Sequence, residues 1–326
     1  MRIIQTSDTP RTMEDLLPPA LAARLDRLDV LSRKVFAGKL PGERRSKRRG
    51  QSVEFDDYRE YTPGDDLRHI DWNVFARLDR FFVKLFREDE DLVVHLVLDD
   101  SPSMHGGAFR NAEIDAPSKA AYARRLAMAL GYIGLVNQNR VVIERFGRGR
   151  TRRLTPMRGR GQLDRLTAFL LEDPEPLEGG ARPEPFADAM RRVVRTKSGT
   201  GVLVVLSDFL FPEGVDAGLR YLSAAGIEGF DVSCMQILAP GELDPELEID
   251  TGIRGDIRLT DIETGRASEV TISPALIEQY RARLRRHIDG IAETCKARGM
   301  RHMLLDTGVP VDRVILDSLR RRRIVG

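Results

Sequence analysis

Two nearly unbroken apolar runs of strand length, each ending on aspartate, constrain the fold of this chain more than any other feature. LVVHLVL at 92–98 passes directly into Asp99-Asp100-Ser101-Pro102-Ser103, and VLVVLSDF at 202–209 contains Ser207-Asp208. A strand without apolar/polar alternation is covered on both faces, as a central strand is between helical layers. Pro117 then opens a segment with Tyr122, Leu126, Leu130, Ile133 and Val136 at helical spacing, so strand, loop and helix follow one another as in the first unit of a parallel sheet. The alternation continues. Strands are expected at 140–146, 231–238 and 300–306, and helices at 162–171, 185–195, 214–225, along the Ile277, Tyr280, Leu284, Ile288, Ile291 stripe, and at 311–319. The expected class is α/β, a doubly wound and mainly parallel sheet, whose ligand sites form where strands end in polar loops.

Two segments depart from this pattern. Before Leu92 the sequence predicts a short amphipathic helix within 19–31, a basic run at 44–49, and a polar stretch ending at Asp71-Trp72 that reads as loops and small strands. Between about 240 and 273, GDIRLTDIETGRASEVTI (255–272) alternates around Thr264-Gly265 as a β-hairpin does. The expected division is therefore residues 1–90, a helix plus a small β-rich region, and residues 91–326, the α/β domain with a hairpin insertion.

Composition narrows the functional classes. A net charge of +2 on 326 residues gives no whole-molecule field to draw the chain onto nucleic acid or an acidic membrane. The basic runs at 44–49 and Arg320–Arg323 lack interleaved aromatics, and read as a solvated loop and a charged helix end. Only Cys234 and Cys295 occur, each within an apolar pattern, so neither a disulfide framework nor a thiolate cage is indicated. No secretory h-region or membrane-length apolar stretch is present, which places the expected location in the cytoplasm.

The chemistry-bearing residues are Asp99, Ser101, Ser103 and Asp208. A carboxylate and two hydroxyls in Asp-x-Ser-x-Ser, joined by a carboxylate from a second strand end, supply the oxygen ligands that a hard cation such as Mg²⁺ requires. Asp99 and Ser101 would also serve as turn caps. Asp208 on a separate strand favours a shared site.

At these residues the sequence resembles the von Willebrand factor A domain, whose metal-ion-dependent adhesion site has this D-x-S-x-S signature. GQSVEFDDYREYTPGDDLRHIDWNVFARLDRFFVKLFRED (50–89) further resembles the hallmark stretch of the bacterial domain of unknown function 58 (DUF58) family, through Arg59, Tyr61, Gly64, Asp65, Asp66, Arg68, Asp71, Trp72 and Arg77. The resemblance implies a von Willebrand factor A-like fold, genes beside MoxR-type AAA+ ATPases, and chaperone-like or assembly roles. The adhesion site also takes a threonine just before a helix, and the corresponding loop here reads TPMRGRGQ (155–162). Thr155 completes a Mg²⁺ shell, or Arg158 or Arg160 folds over the two carboxylates instead of a metal.

Trp72 is expected to anchor a small core. The five histidines show no zinc spacing, and G-x-x-x-x-G-K-[ST], G-x-S-x-G and the D-x-D of aspartyl-phosphate enzymes are missing. The expectation is a non-catalytic protein-binding module working with a MoxR-like ATPase or its client. The alternatives are a metal-dependent hydrolase using the same carboxylates, or nucleic-acid binding through 44–49.

Overall fold

A computed structural model describes residues 9–32, 54–62, 70–87, 92–110, 114–147, 151–173, 184–247, 256–260, 267–271 and 273–326. The chain divides into two compact units, Met1–Val35 with Leu92–Gly326, and Phe36–Asp91. In chain order the elements begin with α1 (Met13–Leu16) and α2 (Pro19–Leu25), then β1 (Glu54–Glu60), α3 (Trp72–Leu78) and β2 (Phe82–Arg87). The α/β portion opens with β3 (Leu92–Asp99), a short β4/β5 pair (Phe109–Arg110 and Asp115–Ala116), α4 (Lys119–Val136), β6 (Arg140–Phe146) and β7 (Arg152–Met157). It continues through α5 (Leu163–Leu171), α6 (Phe186–Thr196), β8 (Thr200–Ser207), α7 (Asp216–Ile227), β9 (Phe230–Leu238) and α8 (Pro240–Leu243). Next come the β10/β11 hairpin (Asp256–Thr260 and Ala267–Thr271), α9 (Pro274–Ala297) and β12 (Arg301–Asp306), before short helical segments at 311–319.

In the larger unit the sheet order is β12-β9-β8-β3-β6-β7. All neighbours pair in parallel except β7, which runs antiparallel to β6 at one edge. Strands β3 and β9 are buried at every residue, which accounts for the nearly unbroken apolar run of β3. Helices cover both faces. Val93, Val97, Leu203 and Val205 join Phe186, Met190, Leu219 and Ile291 of α6, α7 and α9 in one apolar core. Helix α4 lies against the other face, buried along nearly its whole length beneath α1, α2 and α5. Its start is set by Ser118, whose hydroxyl accepts from Ala121 N at 3.3 Å. Among the described residues no helix is long and apolar enough to cross a membrane.

The smaller unit is an antiparallel β1/β2 hairpin with α3 between its strands in sequence. Asp71 begins α3: its Oδ1 accepts from Asn73 N at 2.9 Å and Val74 N at 3.2 Å, and its Oδ2 accepts from the Tyr58 hydroxyl at 2.8 Å. The Ile70-Asp71-Trp72 signature is thus a helix start.

The structure differs from the sequence reading at several points. The first helices belong with the α/β unit, because they pack on α4 and Val30 forms a bridge with Val325, so residues 1–90 do not form one region. Trp72 anchors no core. It is 62% exposed and stands edge-on to Phe75 and Phe81. Strand β7 runs into the stretch that the sequence reads as loop, since Arg152, Arg153 and Pro156 hide an edge strand from any hydrophobic pattern. Residues 311–319 form one helical turn followed by a π-helical segment. The basic run at 44–49 and the Thr264-Gly265 turn lie outside the described residues.

Gly201 shows how closely β3 and β8 approach. A Cβ there would stand 2.1 Å from the Val93 carbonyl oxygen and 2.6 Å from Val93 N, both backbone atoms that cannot rotate aside. Gly201→Ala should therefore part the two central strands and cost at least about 1–3 kcal/mol, the usual range for overpacking. Urea denaturation measures this, and an unchanged midpoint would contradict the pairing.

Candidate functional site

The register of the sheet decides which polar residues meet. Asp99 ends β3 beside Phe146 of β6, while Ser207 and Asp208 end β8 on the other side of β3. Both apolar runs therefore deliver their carboxylates to the same end of adjacent strands. Asp99 is 1% exposed and Asp208 is completely buried.

Each carboxylate oxygen has a donor. Asp99 Oδ1 accepts from Ser101 N at 2.8 Å, and Oδ2 from the Ser207 hydroxyl at 2.5 Å. Ser101 Oγ and Ser103 Oγ lie 3.0 Å apart and share a hydrogen bond. Asp208 Oδ1 accepts from Leu210 N at 3.0 Å. Asp208 Oδ2 accepts from Lys119 Nζ at 2.8 Å, and the same ammonium donates to Glu242 Oε1. Gly147 closes over this corner, because a Cβ on it would fall 2.9 Å from Asp99 Oδ1 and 2.8 Å from Ser101 N. Its φ of +104° is one that glycine adopts without strain.

The charges follow from burial and neighbours. Burial, and then the adjacent Asp208 charge, push the Asp99 carboxyl up to about 7. Lys119 is 1% exposed, and desolvation alone would lower its pKa, yet Asp208 and Glu242 hold it above its ordinary value. Next to this pair, Asp100 accepts from Arg145 Nε at 2.6 Å and lies 3.3 Å from His105 Nε2 and 3.7 Å from Arg124 Nη2. Burial would raise Asp100; the His105 contact and the two guanidinium charges outweigh it and hold the carboxyl below its ordinary value.

Asp99, Ser101, Ser103 and Asp208 are thus brought together as the sequence pattern suggests. Thr155, Arg158 and Arg160 are not. Because β7 is antiparallel, Arg152 pairs with Arg145 near the Asp99 end, while Met157 pairs with Val141 toward the opposite end. Thr155 Oγ1 accepts from Arg165 at 2.9 Å, and Arg160 reaches Asp26 at 2.5 Å with its guanidinium over the Tyr132 ring. Neither arginine folds over Asp99 and Asp208; the cation there is Lys119. Sequence reading passed over Lys119 and Glu242, although one signal was available: a lysine in the first turn of a helix opposes the helix dipole and calls for another reason to be there.

The donor set as arranged does not fit a divalent ion. The position facing Asp208 Oδ2 is taken by a buried ammonium, and the Ser101 and Ser103 hydroxyls are bonded to each other. Among the described residues no group of three or more His, Cys, Asp or Glu is arranged to hold a metal. In the smaller unit, Tyr61 stands edge-on to Phe81, Arg59 donates to Thr62 at 2.9 Å, and Arg77 is exposed on α3. Gly64, Asp65, Asp66 and Arg68 lie outside the described residues.

A mixed α/β protein with a mostly parallel sheet and a buried polar cluster at its strand ends is the class that these features define. The chain belongs to the family described as Protein of unknown function DUF58, whose profile matches residues 57–289. It is 28% identical over 287 residues to the uncharacterized proteins Rv1480 of Mycobacterium tuberculosis and Mb1516 of Mycobacterium bovis, a match spanning 87% of this chain and 84% of theirs. Among solved structures it is similar to the conserved hypothetical protein BatB from Bacteroides thetaiotaomicron, with 16% identity and a TM-score of 0.41 over 71% of this chain and 98% of that one. An uncharacterized membrane spanning protein from Vibrio fischeri matches with 15% identity and a TM-score of 0.22 over 70% and 96%.

The sign of the Asp99 shift sets a pH dependence. Its folded pKa lies above its unfolded one, so the stability it contributes is fully present below about pH 4 and is lost as pH rises toward 7. His302, depressed to about 4 by burial and Arg322, acts oppositely between pH 6.5 and 4. Subtracting the two unfolding profiles isolates Asp99: Asp99→Asn should gain on wild type from about pH 4 to 7 and level off above that in chemical denaturation. Parallel profiles would refute the shift.

Proposed function

We propose that this chain is a non-catalytic partner-binding module of von Willebrand factor A-like type, acting with a MoxR-like AAA+ ATPase or with that ATPase's client. The fold reading is supported by five parallel strands with one antiparallel edge strand, and by Asp-x-Ser-x-Ser at the end of the strand flanked by β8 and β6. The ATPase pairing is supported by the resemblance of residues 50–89 to a family whose genes stand beside such ATPases. The observation that carries the binding role is the rigidity of the strand ends: Asp99, Ser101, Ser207 and Asp208 are all buried and hydrogen-bonded, so they hold a surface rather than offer a reactive group.

The contact face consists of the loops at 101–108 and 209–213, which such a frame holds in place. Leu210 is 37% exposed there, and the Pro102, Ser103 and His105 side chains are partly open. The loop at 156–162 sits toward the other end of the sheet and does not contribute. Charge reversal at Asp208 would be a poor probe, since it would strand Lys119 inside the protein.

Leu210→Glu is the suitable probe. It should weaken binding to a purified MoxR-like ATPase from the same organism by about tenfold or more, roughly 1.4 kcal/mol, with the melting temperature unchanged. Arg158→Glu, toward the opposite end, should leave binding intact in the same biosensor experiment. Turnover of a phosphoester or peptide by the purified protein alone, lost in Asp99→Ala, would instead establish a hydrolase.

A further inference from the structure

Burying a lysine ammonium at 1% exposure is costly unless every donor finds a partner and the charge is matched. Lys119 has its charge matched and two of its three donors engaged at one place. Its Nζ donates to Asp208 Oδ2 at 2.8 Å and to Glu242 Oε1. Three separate elements are drawn there: the first turn of α4, the end of β8, and α8 just beyond β9. Asp99, held by Ser207 and the Ser101 amide, stands on the adjacent strand end and adds a third carboxylate close enough for its titration to feel Asp208. Two or three carboxylates with two serine hydroxyls at neighbouring strand ends form an oxygen-rich cluster of the kind that hard divalent cations select.

We propose that the Lys119 ammonium is a covalently tethered substitute for a divalent cation: the strand-end cluster works without metal in this protein, and becomes a divalent-ion site once that ammonium is removed. The tether explains why the helix begins with a lysine despite the unfavourable dipole. It also explains why the serine hydroxyls pair with each other rather than facing an open position. A monovalent group with tetrahedral donors satisfies Asp208 and Glu242 but leaves Asp99 to be served by Ser207, which is the observed division of partners. The inference concerns the electrostatics of the cluster and holds whichever partner the protein has.

The test uses the full chain as wild type, Lys119→Met, and Lys119→Met with Asp208→Asn. Each is melted by calorimetry in EDTA and in millimolar MgCl₂ or MnCl₂, and each is titrated with MnCl₂ isothermally. Wild type should show the same melting temperature in all buffers and no saturable heat. Lys119→Met should melt lower in EDTA, or fail to fold there, and regain several degrees or its folded state with Mn²⁺ by mass action. The double variant, with one carboxylate charge also gone, should fold in EDTA and lose the response to ions. A saturable ion response in wild type that Asp208→Asn abolishes would overturn the proposal. So would a Lys119→Met protein that no divalent ion stabilises, whether or not it folds in EDTA.

Discussion

A single buried ammonium holds the carboxyl end of the sheet together. Lys119 fixes the first turn of α4 to the end of β8 through Asp208 and to α8 through Glu242. Further bonds spread from these two partners. Gln236 of β9 donates to the Asp208 carbonyl at 3.1 Å, and the Tyr280 hydroxyl of α9 donates to the Glu242 carbonyl at 2.9 Å. Arg281 of the same helix holds Asp244 and Glu246 just after α8. Removing one member of a buried pair typically costs about 3–5 kcal/mol, because the other charge is left without compensation. That is a large share of the stability of a domain of this kind, whereas exposed pairs such as Arg80–Glu60 contribute little.

The same end of the sheet sorts its charges into two neighbouring groups of opposite character. Around Asp208 two carboxylates, its own and that of Glu242, face one ammonium, and Asp99 on the adjacent strand end, buried and beside the Asp208 charge, holds its proton more strongly. Around Asp100 one carboxylate faces Arg145, Arg124 and His105, and it releases its proton more readily. Consecutive residues of one chain therefore shift in opposite directions. The cause is alternation: adjacent residues leaving a strand point to different sides, so each enters a different electrostatic surrounding.

Much of the fold was legible in the sequence because continuous burial leaves a strong pattern. Strands β3 and β8 carry nearly unbroken apolar runs, β9 is buried throughout, and α4 follows soon after the Pro117 that opens its segment. Asp99, Ser101, Ser103 and Asp208 could be grouped because each lies at the end of such a run. The partner of Asp208 was not legible. Lys119 and Glu242 are separated from it by 89 and 34 residues, respectively; Glu242 sits in a locally ordinary helix start, and a first-turn lysine marks Lys119 as unusual without naming its partner. Arg158 and Arg160 were misplaced for a related reason. Its arginines and proline hide β7 in the sequence, and β7 carries the chain from the Asp99 end of the sheet to the other. Trp72 does not follow the rule that tryptophan seeks a core: among the described residues it stands edge-on to Phe75 and Phe81 and stays exposed.

The composition of β7 matters beyond the register it sets. A strand at the border of a sheet exposes unpaired backbone donors and acceptors, and an unprotected one invites a strand from another molecule to add to it. Here that border reads Arg-Arg-Leu-Thr-Pro-Met, with two like charges at one end and, near the other, a residue that has no N–H to donate. An incoming copy would bring its own arginines against these and find the ladder interrupted at Pro156. The mainly parallel sheet can thus keep a buried, mostly apolar centre while this flank resists propagation into fibrils, a safeguard encoded in the residues that concealed the strand.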